Sequence, residues 1–313
     1  MTDLLTLWGL SSGRHRTDIV LPGSPERCLS RRAEEDDQGR VWMLETLRPG
    51  QLDRRERIAR ALDRLGRAGL PVPAYLAGPD GRFVIEHEGQ QHQLSPFIPG
   101  DPLPQPEYIE DAARGESLGK FLCRLREVSG CIHEFDDEPA FFLEGYVDEL
   151  MAAMAGRRPD LHEALSPVLP VLTPLFEAWP SLPVSFCHGD FHPLNIIWHG
   201  TSAAAVIDWE FAGIRPCLFD AANCLGCVGI EDPHALVRGL APALLQTLRQ
   251  GVCLDRTSLS LLPELVLALR FAWMSEWLRR RDEEMIGIEA HYMRLLANSL
   301  DTLLPAWLNL LGE

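Results

Sequence analysis

The chain has 313 residues and a formal net charge of −16 at pH 7. This excess of acidic side chains argues against nucleic acid or an anionic membrane as the main partner, because both repel a negative protein. An apolar fraction of 46% and a charged fraction of 24% are ordinary for a globular protein, and the length allows one large or two modest domains.

The first residues carry no export signal that we recognise. They lack the basic segment and the small-residue cleavage site of a signal peptide, and no uninterrupted apolar run is long enough to span a membrane. Without such a signal, the eight cysteines are expected to be reduced thiols. The sequence thus predicts a cytoplasmic protein.

The N-terminal third reads as short strands around one helix. Turn-forming residues separate the strands, and apolar residues recur at helical spacing over residues 52–65. The predicted strands cover residues 17–21, 27–31, 41–47, 82–86 and 91–96. A stiff, proline-rich connection follows at 99–104.

Beyond this connection the chain is mainly helical. Helices are predicted at 112–128, 144–154 and 236–250, and, with interruptions, over 265–310. Short β segments are expected at 184–187, 196–198 and 203–207. The outline is an α+β, protein-kinase-like bilobal fold. A small antiparallel-sheet N-terminal lobe with one helix (1–98) would bind the nucleotide. A larger, mainly helical C-terminal lobe (99–313) would hold the catalytic and substrate sites.

The strongest functional signal is His-Gly-Asp at residues 188–190, followed by Asn195 and, after a short hairpin, by Asp208. Phosphoryl transfer from ATP needs one carboxylate for the acceptor hydroxyl and oxygen ligands for magnesium. Asp190 is the candidate catalytic residue, and Asn195 and Asp208 are the candidate metal ligands. An Asx turn and surface carboxylates would explain each residue singly, but not the set.

The neighbours of this motif have more than one interpretation. We expect His188 to brace the loop. His192 either contacts substrate or packs, and packing is favoured. Glu210 either adds charge near magnesium or makes a structural hydrogen bond. Cys217, Cys224 and Cys227 permit a weaker reading as a zinc-binding regulator, although buried thiols on a helix explain them better.

At these residues the chain resembles the aminoglycoside phosphotransferase and choline kinase superfamily, which carries H-G-D-x-x-x-x-N followed by I-D-x-E. The resemblance implies a small-molecule kinase that uses ATP, or another nucleoside triphosphate, and Mg²⁺. Residues 94–100 look like the hinge strand of the superfamily, which implies that Ser95 and Phe97 contact the nucleotide. Residues 219–222, which include Asp220, look like the segment of its structural aspartate.

The N-terminal lobe departs from this pattern. Glu45 stands where many relatives have a lysine, and the only lysine of the chain is Lys120. We hypothesise a charge-swapped pair of Glu45 with Arg54 or Arg55. Phosphate contact would then pass to an arginine fork, which suits phosphate oxygens. The candidate phosphate-binding residues are Gly23 and Ser24 in a turn, flanked by Arg27 and Arg31.

The leading hypothesis is an ATP-dependent kinase that transfers the γ-phosphoryl group to the hydroxyl of a small molecule. A catalytically silent pseudokinase, acting as a nucleotide- or partner-binding module, is the alternative that the missing lysine favours. Amino sugars, amino alcohols and sugars remain open as acceptors, and the oligomeric state is not readable. Acidic residues would either line a cationic acceptor pocket or form solvated surface; they are Asp136, Asp137, Glu144, Asp148 and Glu149.

Overall fold

The structure is a computed structural model that describes residues 4–19, 21, 28–251 and 253–312. The candidate phosphate-binding residues Gly23, Ser24 and Arg27 lie outside the described residues.

The N-terminal part is built on an antiparallel sheet with the strand order β1-β2-β3-β5-β4. The strands are β1 (Ser12–His15), β2 (Cys28–Asp36), β3 (Val41–Leu47), β4 (Ile85–His87) and β5 (Gln90–Pro96). The β2–β3 register places Arg31 directly opposite Glu45. Residues directly opposite each other on neighbouring strands share a sheet face, so this register decides which side chains of β2 and β3 meet.

The first predicted strand is wrong. Residues 17–19 form a turn, and β1 lies earlier in the chain. Arg16 donates two hydrogen bonds to Asp18, at 2.7 and 2.6 Å, and this local pair closes the turn. Side-chain contacts over two residues thus prevail over the apolar alternation that suggested a strand.

Helix α1 (Leu52–Arg67) confirms the helix predicted over residues 52–65. Its buried face includes Ile58, Leu62 and Leu65, which join the same core as Leu118 of the helical part. The helix therefore packs the N-terminal sheet against the rest of the molecule. The opposite face of the sheet has a smaller core around Trp8, Trp42 and Leu94.

The C-terminal part is helical, as predicted, and two small sheets carry the motif. The described helices are α2 (Ala112–Val128), α3 (Leu143–Arg157), α4 (Pro159–Leu165), α5 (Thr173–Ala178), α6 (Phe219–Glu231), α7 (Leu240–Gln250), α8 (Arg256–Ser260), α9 (Leu262–Arg280), α10 (Glu283–Ala297) and α11 (Leu300–Leu311). The antiparallel strand pairs are β6 (Val184–Cys187) with β9 (Gly213–Pro216), and β7 (Ile196–His199) with β8 (Ser202–Val206).

Helices α2 and α7 cross at very close range. A Cβ atom at Gly115 would lie 2.1 Å from the carbonyl oxygen of Leu240, so only glycine fits there. Helix α2 starts sharply because the Asp111 side chain accepts hydrogen bonds from the amides of Ala113 and Arg114. Helix α2 also packs against β6 and β8, the strands on either side of the motif.

The predicted connection at 99–104 is fastened to the β7–β8 turn. The amide of Asp101 donates to the Trp198 carbonyl at 2.7 Å, and its carboxylate accepts from the amide of Gly200 at 2.7 Å. His199 donates to the carbonyl of Pro99 at 2.9 Å. The segment after residue 98 therefore contacts the C-terminal part, while the lobe boundary at 98/99 stays a prediction.

Two further predictions concern membrane-spanning helices and the state of the cysteines. None of the helices in the described ranges is long and apolar enough to cross a membrane. All eight cysteines are free thiols, as expected.

Candidate active site

The motif loop follows strand β6 and is braced by His188. The buried ring donates through Nε2 to the Ile207 carbonyl at 2.8 Å and accepts at Nδ1 from the amide of Asp190 at 3.1 Å. Burial lowers the pKa of His188 to about 4, so the imidazole stays neutral and keeps this donor–acceptor pattern. His188 thus ties the motif loop to the end of strand β8, as the sequence predicted.

Asp220, at the start of α6, also holds the motif loop in place. Its buried carboxylate accepts hydrogen bonds from the amides of His188 and Gly189, at 2.7 and 2.8 Å. Burial raises the pKa of Asp220 to about 6, while the two amide donors act in the opposite direction. Asp220 therefore positions the loop backbone, which agrees with the structural role implied by the resemblance.

Gly189 is a position that no other residue fits. Its φ is +84°, and a Cβ atom there would lie 2.1 Å from the carbonyl oxygen of Phe211. The segment that follows Asp208 therefore presses directly on the motif loop, which holds the two halves of the motif in one place.

The Asp190 carboxylate lies at the edge of a cleft, held by Asn195. The Asn195 side-chain nitrogen donates to the Asp190 backbone oxygen at 2.9 Å and to its carboxylate at 3.1 Å. The second carboxylate oxygen is 3.6 Å from Nε2 of His192. The His192 ring packs edge-on against Trp273 with ring centroids 5.5 Å apart. His192 thus packs against Trp273 and also lines the cleft near Asp190, so a contact with substrate stays open.

Asp208 directly follows the β7–β8 hairpin with a left-handed backbone (φ 69°, ψ 52°). Beside it, the amide of Ile207 donates to the Asn195 carbonyl at 2.9 Å, so the hairpin brings the two predicted metal ligands to one edge. A non-glycine residue in this conformation is strained, and such strain is concentrated at functional sites.

A charge network joins the N-terminal lobe to this edge. Arg31 contacts Glu45 at 2.7 and 2.8 Å, and Arg55 contacts Glu210 at 2.7 Å. These residues line one small cavity together with Asp208. Burial alone lowers the pKa of Arg31, but Glu45 and, more weakly, Asp208 raise it above its ordinary value. Arg31 is therefore a charged guanidinium within the electrostatic reach of Asp208.

The proposed partner of Glu45 needs correction. Its 2.7 Å ion pair is with Arg31, because β2 and β3 place the two residues opposite each other. Arg54 contacts Glu138 at 2.7 Å and the carbonyl of Glu210 at 2.9 Å instead, so its proposed pairing is wrong. Arg55 is stabilised by the charge of Glu45, although its 2.7 Å contact is with Glu210. Glu210 thus makes a structural ion pair, and because it lines the same small cavity as Asp208, a contribution to the charge near magnesium stays open.

The predicted hinge residues lie away from the cleft. Ser95 is buried near the end of β5, opposite Met43, and the amide of Phe97 donates to the Val41 carbonyl at 2.9 Å. Neither residue lines the cleft beside Asp190 in the described part of the chain.

The cleft beside Asp190 has a volume of about 660 Å³. Asp190, His192 and Asn195 form one end, while Trp273 and Glu276 of α9 line a wall. This volume lies in the range of about 300–1,000 Å³ that is typical of small-molecule pockets. The site can thus present a fixed carboxylate to the hydroxyl of a small molecule held in the cleft.

The sequence analysis assigned no functional role to the α9 wall. Trp273, Glu276 and Arg280 all line the cleft, and their spacing of three and four residues puts them on one helical face. That spacing was the available signal. The Nε1 of Trp273 donates to the Asn223 side chain at 3.2 Å, which orients the ring.

The acidic residues considered for a cationic pocket do not line this cleft in the described structure. Asp137 pairs with Arg57, and Asp136 contacts His133 at 2.9 Å on the surface. The solvated alternative is therefore the right one for this pair.

The hypothesis of a zinc site at Cys217, Cys224 and Cys227 is wrong for the residues that the structure describes. No group of three or more His, Cys, Asp or Glu side chains in its described ranges could hold a metal ion. Cys224 is buried, and burial raises the pKa of Cys227 to about 12, so these thiols stay protonated. They are packing residues on α6, as the sequence favoured.

The model of the phosphotransferase enzyme family matches residues 31–262. The chain belongs to this family. Its kinase-like motif, Asp190 loop and hairpin all fall within the matched residues. The resemblance stated from the motif is therefore confirmed.

One curated relative of this phosphotransferase family member is the homoserine kinase of Rhodopseudomonas palustris strain TIE-1, with 27% identity over 212 residues. The match covers 66% of this chain and 63% of that protein, so the chain spans a little under two thirds of the relative's length.

Solved structures share the fold across nearly the whole chain. A microcompartment-associated aminopropanol kinase superposes with a TM-score of 0.70 at 18% identity and covers 96% of each chain. An amicoumacin kinase in complex with AMP-PNP and Ca²⁺ superposes with a TM-score of 0.62 at 13% identity, covering 93% of this chain and 90% of that one. The predicted α+β, protein-kinase-like fold is thereby confirmed.

Proposed function

We propose that the chain is a small-molecule kinase that transfers the γ-phosphoryl group of ATP to a substrate hydroxyl in the presence of Mg²⁺. The observation that carries this proposal is the Asp190 carboxylate, held by Asn195 at the edge of a cleft of about 660 Å³. Membership of a phosphotransferase family and the kinase relatives support it.

Asp190 is proposed as the catalytic residue. Its carboxylate would accept a hydrogen bond from the acceptor hydroxyl, orient the oxygen and take up its proton as the phosphoryl group is transferred. Asp220 and His188 would serve by holding the loop, because their hydrogen bonds go to its backbone. A loop held in this way would keep the carboxylate in position for the reaction.

Asn195 and Asp208 are proposed as the protein ligands of Mg²⁺. The donor set fits this metal, since it supplies a carboxylate and an amide oxygen, and Mg²⁺ prefers hard oxygen ligands. Asn195 directs its side-chain nitrogen to Asp190, which leaves its amide oxygen for another ligand. When bound, the metal would neutralise phosphate charge.

Arg31 is proposed as the phosphate-binding cation of the N-terminal lobe. It stands beside Asp208 in the same small cavity and is oriented by Glu45 from β3, where relatives carry a lysine. Gly23, Ser24 and Arg27 stay predicted phosphate contacts, and Ser95 and Phe97 stay proposed hinge contacts. With a cation supplied from β2, the missing lysine no longer favours the pseudokinase alternative.

We expect replacement of Arg31 to weaken ATP binding much more than adenosine binding, because only phosphate contacts are lost. A charge-assisted contact of about 1.5–3 kcal/mol corresponds to a loss of roughly ten- to a hundredfold. The double variant Arg31→Gln/Glu45→Gln is the best probe, since it removes both charges and leaves no unpaired buried one. Calorimetry with ATP and adenosine measures the difference.

Arg32→Gln is the matched control, because alternation along β2 turns Arg32 to the other sheet face. Equal losses for ATP and adenosine in the double variant, or a loss of the same size in the control, would speak against Arg31 as the phosphate contact.

Asp208→Ala should remove the Mg²⁺-dependent part of the thermal stabilisation by ATP, because it deletes the charged ligand of the proposed site. Asn195→Ala should have the same effect to a smaller extent. Melting curves with ATP, with and without Mg²⁺, test this, and Asp63→Ala on α1 serves as a control. An unchanged Mg²⁺ effect in Asp208→Ala would rule out the site.

The function itself is tested in two stages. Thermal shifts with nucleotides and Mg²⁺ first establish binding, and ADP release is then followed across a library of hydroxyl compounds. Homoserine and aminopropanol belong in this library because relatives are named for them. Nucleotide binding with no ADP release for any acceptor would instead support the silent module.

A further inference from the structure

A second cavity, of about 520 Å³, adjoins the acceptor cleft. It lies between the end of α3, the end of α9 and the start of α10, and it shares Ser275 and Arg279 with the cleft beside Asp190. The two volumes are therefore neighbours along α9, and one elongated molecule could occupy both.

The charged residues of the second cavity are mainly arginines. Four arginines and one acidic residue line it: Arg157, Arg158, Arg279, Arg281 and Glu283. Arg158 is neutralised by Asp160 and Glu283, at 2.9 and 3.1 Å, and Arg279 is paired with Glu276 at 2.7 Å. Such compensation is expected on a chain with a net charge of −16.

Arg157 and Arg281 differ from these two. Both are exposed, and within the described ranges neither has an acidic partner or a side-chain hydrogen bond. Two guanidinium groups without a described acidic partner thus line one cavity of a protein whose net charge is −16. Guanidinium groups match carboxylate and phosphate oxygens with paired hydrogen bonds.

Helix-end electrostatics explain only part of this arrangement. Arg157 ends α3 and Arg281 follows α9, where cations stabilise the helix dipole. However, Arg281 has a left-handed backbone with φ 57°, a conformation that glycine adopts at lower cost and usually occupies after a helix. The helix dipole accounts for a cation at this place but not for a residue other than glycine in this conformation.

We propose that this arginine-lined cavity binds an anionic group, a carboxylate or a phosphate ester, of the acceptor whose hydroxyl lies at Asp190. The inference rests on the proposed kinase function and narrows its acceptor class. It favours hydroxy acids and amino acids, two classes that the sequence analysis did not consider, over the cationic amino sugars that the sequence left open. The length of the joined cavities favours an acceptor that reaches from Asp190 past Ser275.

Anion binding by itself is tested first, without any need for turnover. Calorimetry with inorganic phosphate and with succinate, in the presence of ADP and Mg²⁺, is performed on the wild type and on Arg157→Gln/Arg281→Gln. We expect the affinity of at least one anion to fall about tenfold or more in the double variant. The two anions distinguish a phosphate-ester subsite from a carboxylate subsite.

Arg281→Gly is a second variant that should fold at least as well as the wild type, because glycine relieves the left-handed backbone. It should weaken the same anion while its melting temperature stays equal or rises. Arg82→Gln, an exposed arginine of the N-terminal part with no described ion pair, is the control. The proposal is overturned if neither anion binds the wild type, or if both variants bind it unchanged.

Turnover then separates this inference from the kinase function. With an anionic hydroxyl acceptor, the double variant should raise the KM for that acceptor about tenfold or more and leave the KM for MgATP unchanged. Turnover on neutral or cationic acceptors alone, unaffected by the variant, would overturn the subsite and leave the kinase standing. If the double variant loses anion binding while the wild type turns over ATP with no acceptor, the anion site is upheld and the kinase function is overturned.

Discussion

Replacement of Asp190 by asparagine is expected to lower the kcat of phosphoryl transfer by about 10²–10⁴-fold, the usual contribution of a positioned general base. Asparagine has the same shape and can still accept a hydrogen bond from Asn195, so the loop should keep its conformation. It cannot take up the proton of the acceptor hydroxyl. Affinity for MgATP should stay close to that of the wild type, because Asp190 is proposed to serve the acceptor hydroxyl and not to hold ATP.

Steady-state kinetics with an identified acceptor, together with calorimetry for MgATP, measures both quantities. Asp136→Asn is the matched control, since Asp136 lies on the surface and outside the cleft. Wild-type turnover in Asp190→Asn would show that Asp190 has another role.

The second large effect concerns stability. Arg270 and Glu289 form a buried ion pair with contacts of 2.7 and 2.6 Å, and Glu289 also accepts from Trp277 at 3.1 Å. Glu289→Ala should lower the free energy of unfolding by about 3–5 kcal/mol, because it leaves an uncompensated guanidinium in the core. The guanidinium of arginine keeps its proton in proteins, so the Arg270 side chain left behind in the variant cannot escape the cost of burial by becoming neutral.

Urea unfolding measures this loss. The double variant Arg270→Leu/Glu289→Leu is the control, since replacing both partners by apolar residues should recover most of the stability. The Arg270 guanidinium lies 5.4 Å from the ring centre of Trp273, so the single variant should also loosen the α9 wall. A loss below about 1 kcal/mol, on the scale of an exposed pair, would show that the pair is not desolvated in solution.

The parts of the fold that local patterns determine were predictable. Helix α1 has a clear apolar face, and strand β3 matches its predicted bounds. The hairpin between Asn195 and Asp208 was predictable because its two strands are close in sequence and joined by a short turn.

The parts that depend on long-range contacts were not predictable. The partner of Glu45 depends on the β2–β3 register, and β2 runs to Asp36, beyond its predicted end at residue 31. A register shift by one residue would have turned Glu45 to the other face.

The cleft beside Asp190 depends on contacts over greater distances in the chain. Trp273 reaches the site through Asn223, 50 residues earlier, and through His192. Its helical spacing marks a face of α9, but no local pattern indicates which element that face meets.

The central claim is that this chain forms a phosphate ester from ATP. Phosphorus NMR of the wild type with MgATP and a panel of hydroxyl acceptors, homoserine among them, observes that product directly. We predict a new phosphomonoester signal together with ADP, dependent on Mg²⁺ and strongly reduced with Asp190→Asn. ATP that binds but gives neither ADP nor a phosphomonoester with any acceptor, even at stoichiometric protein, would contradict the account.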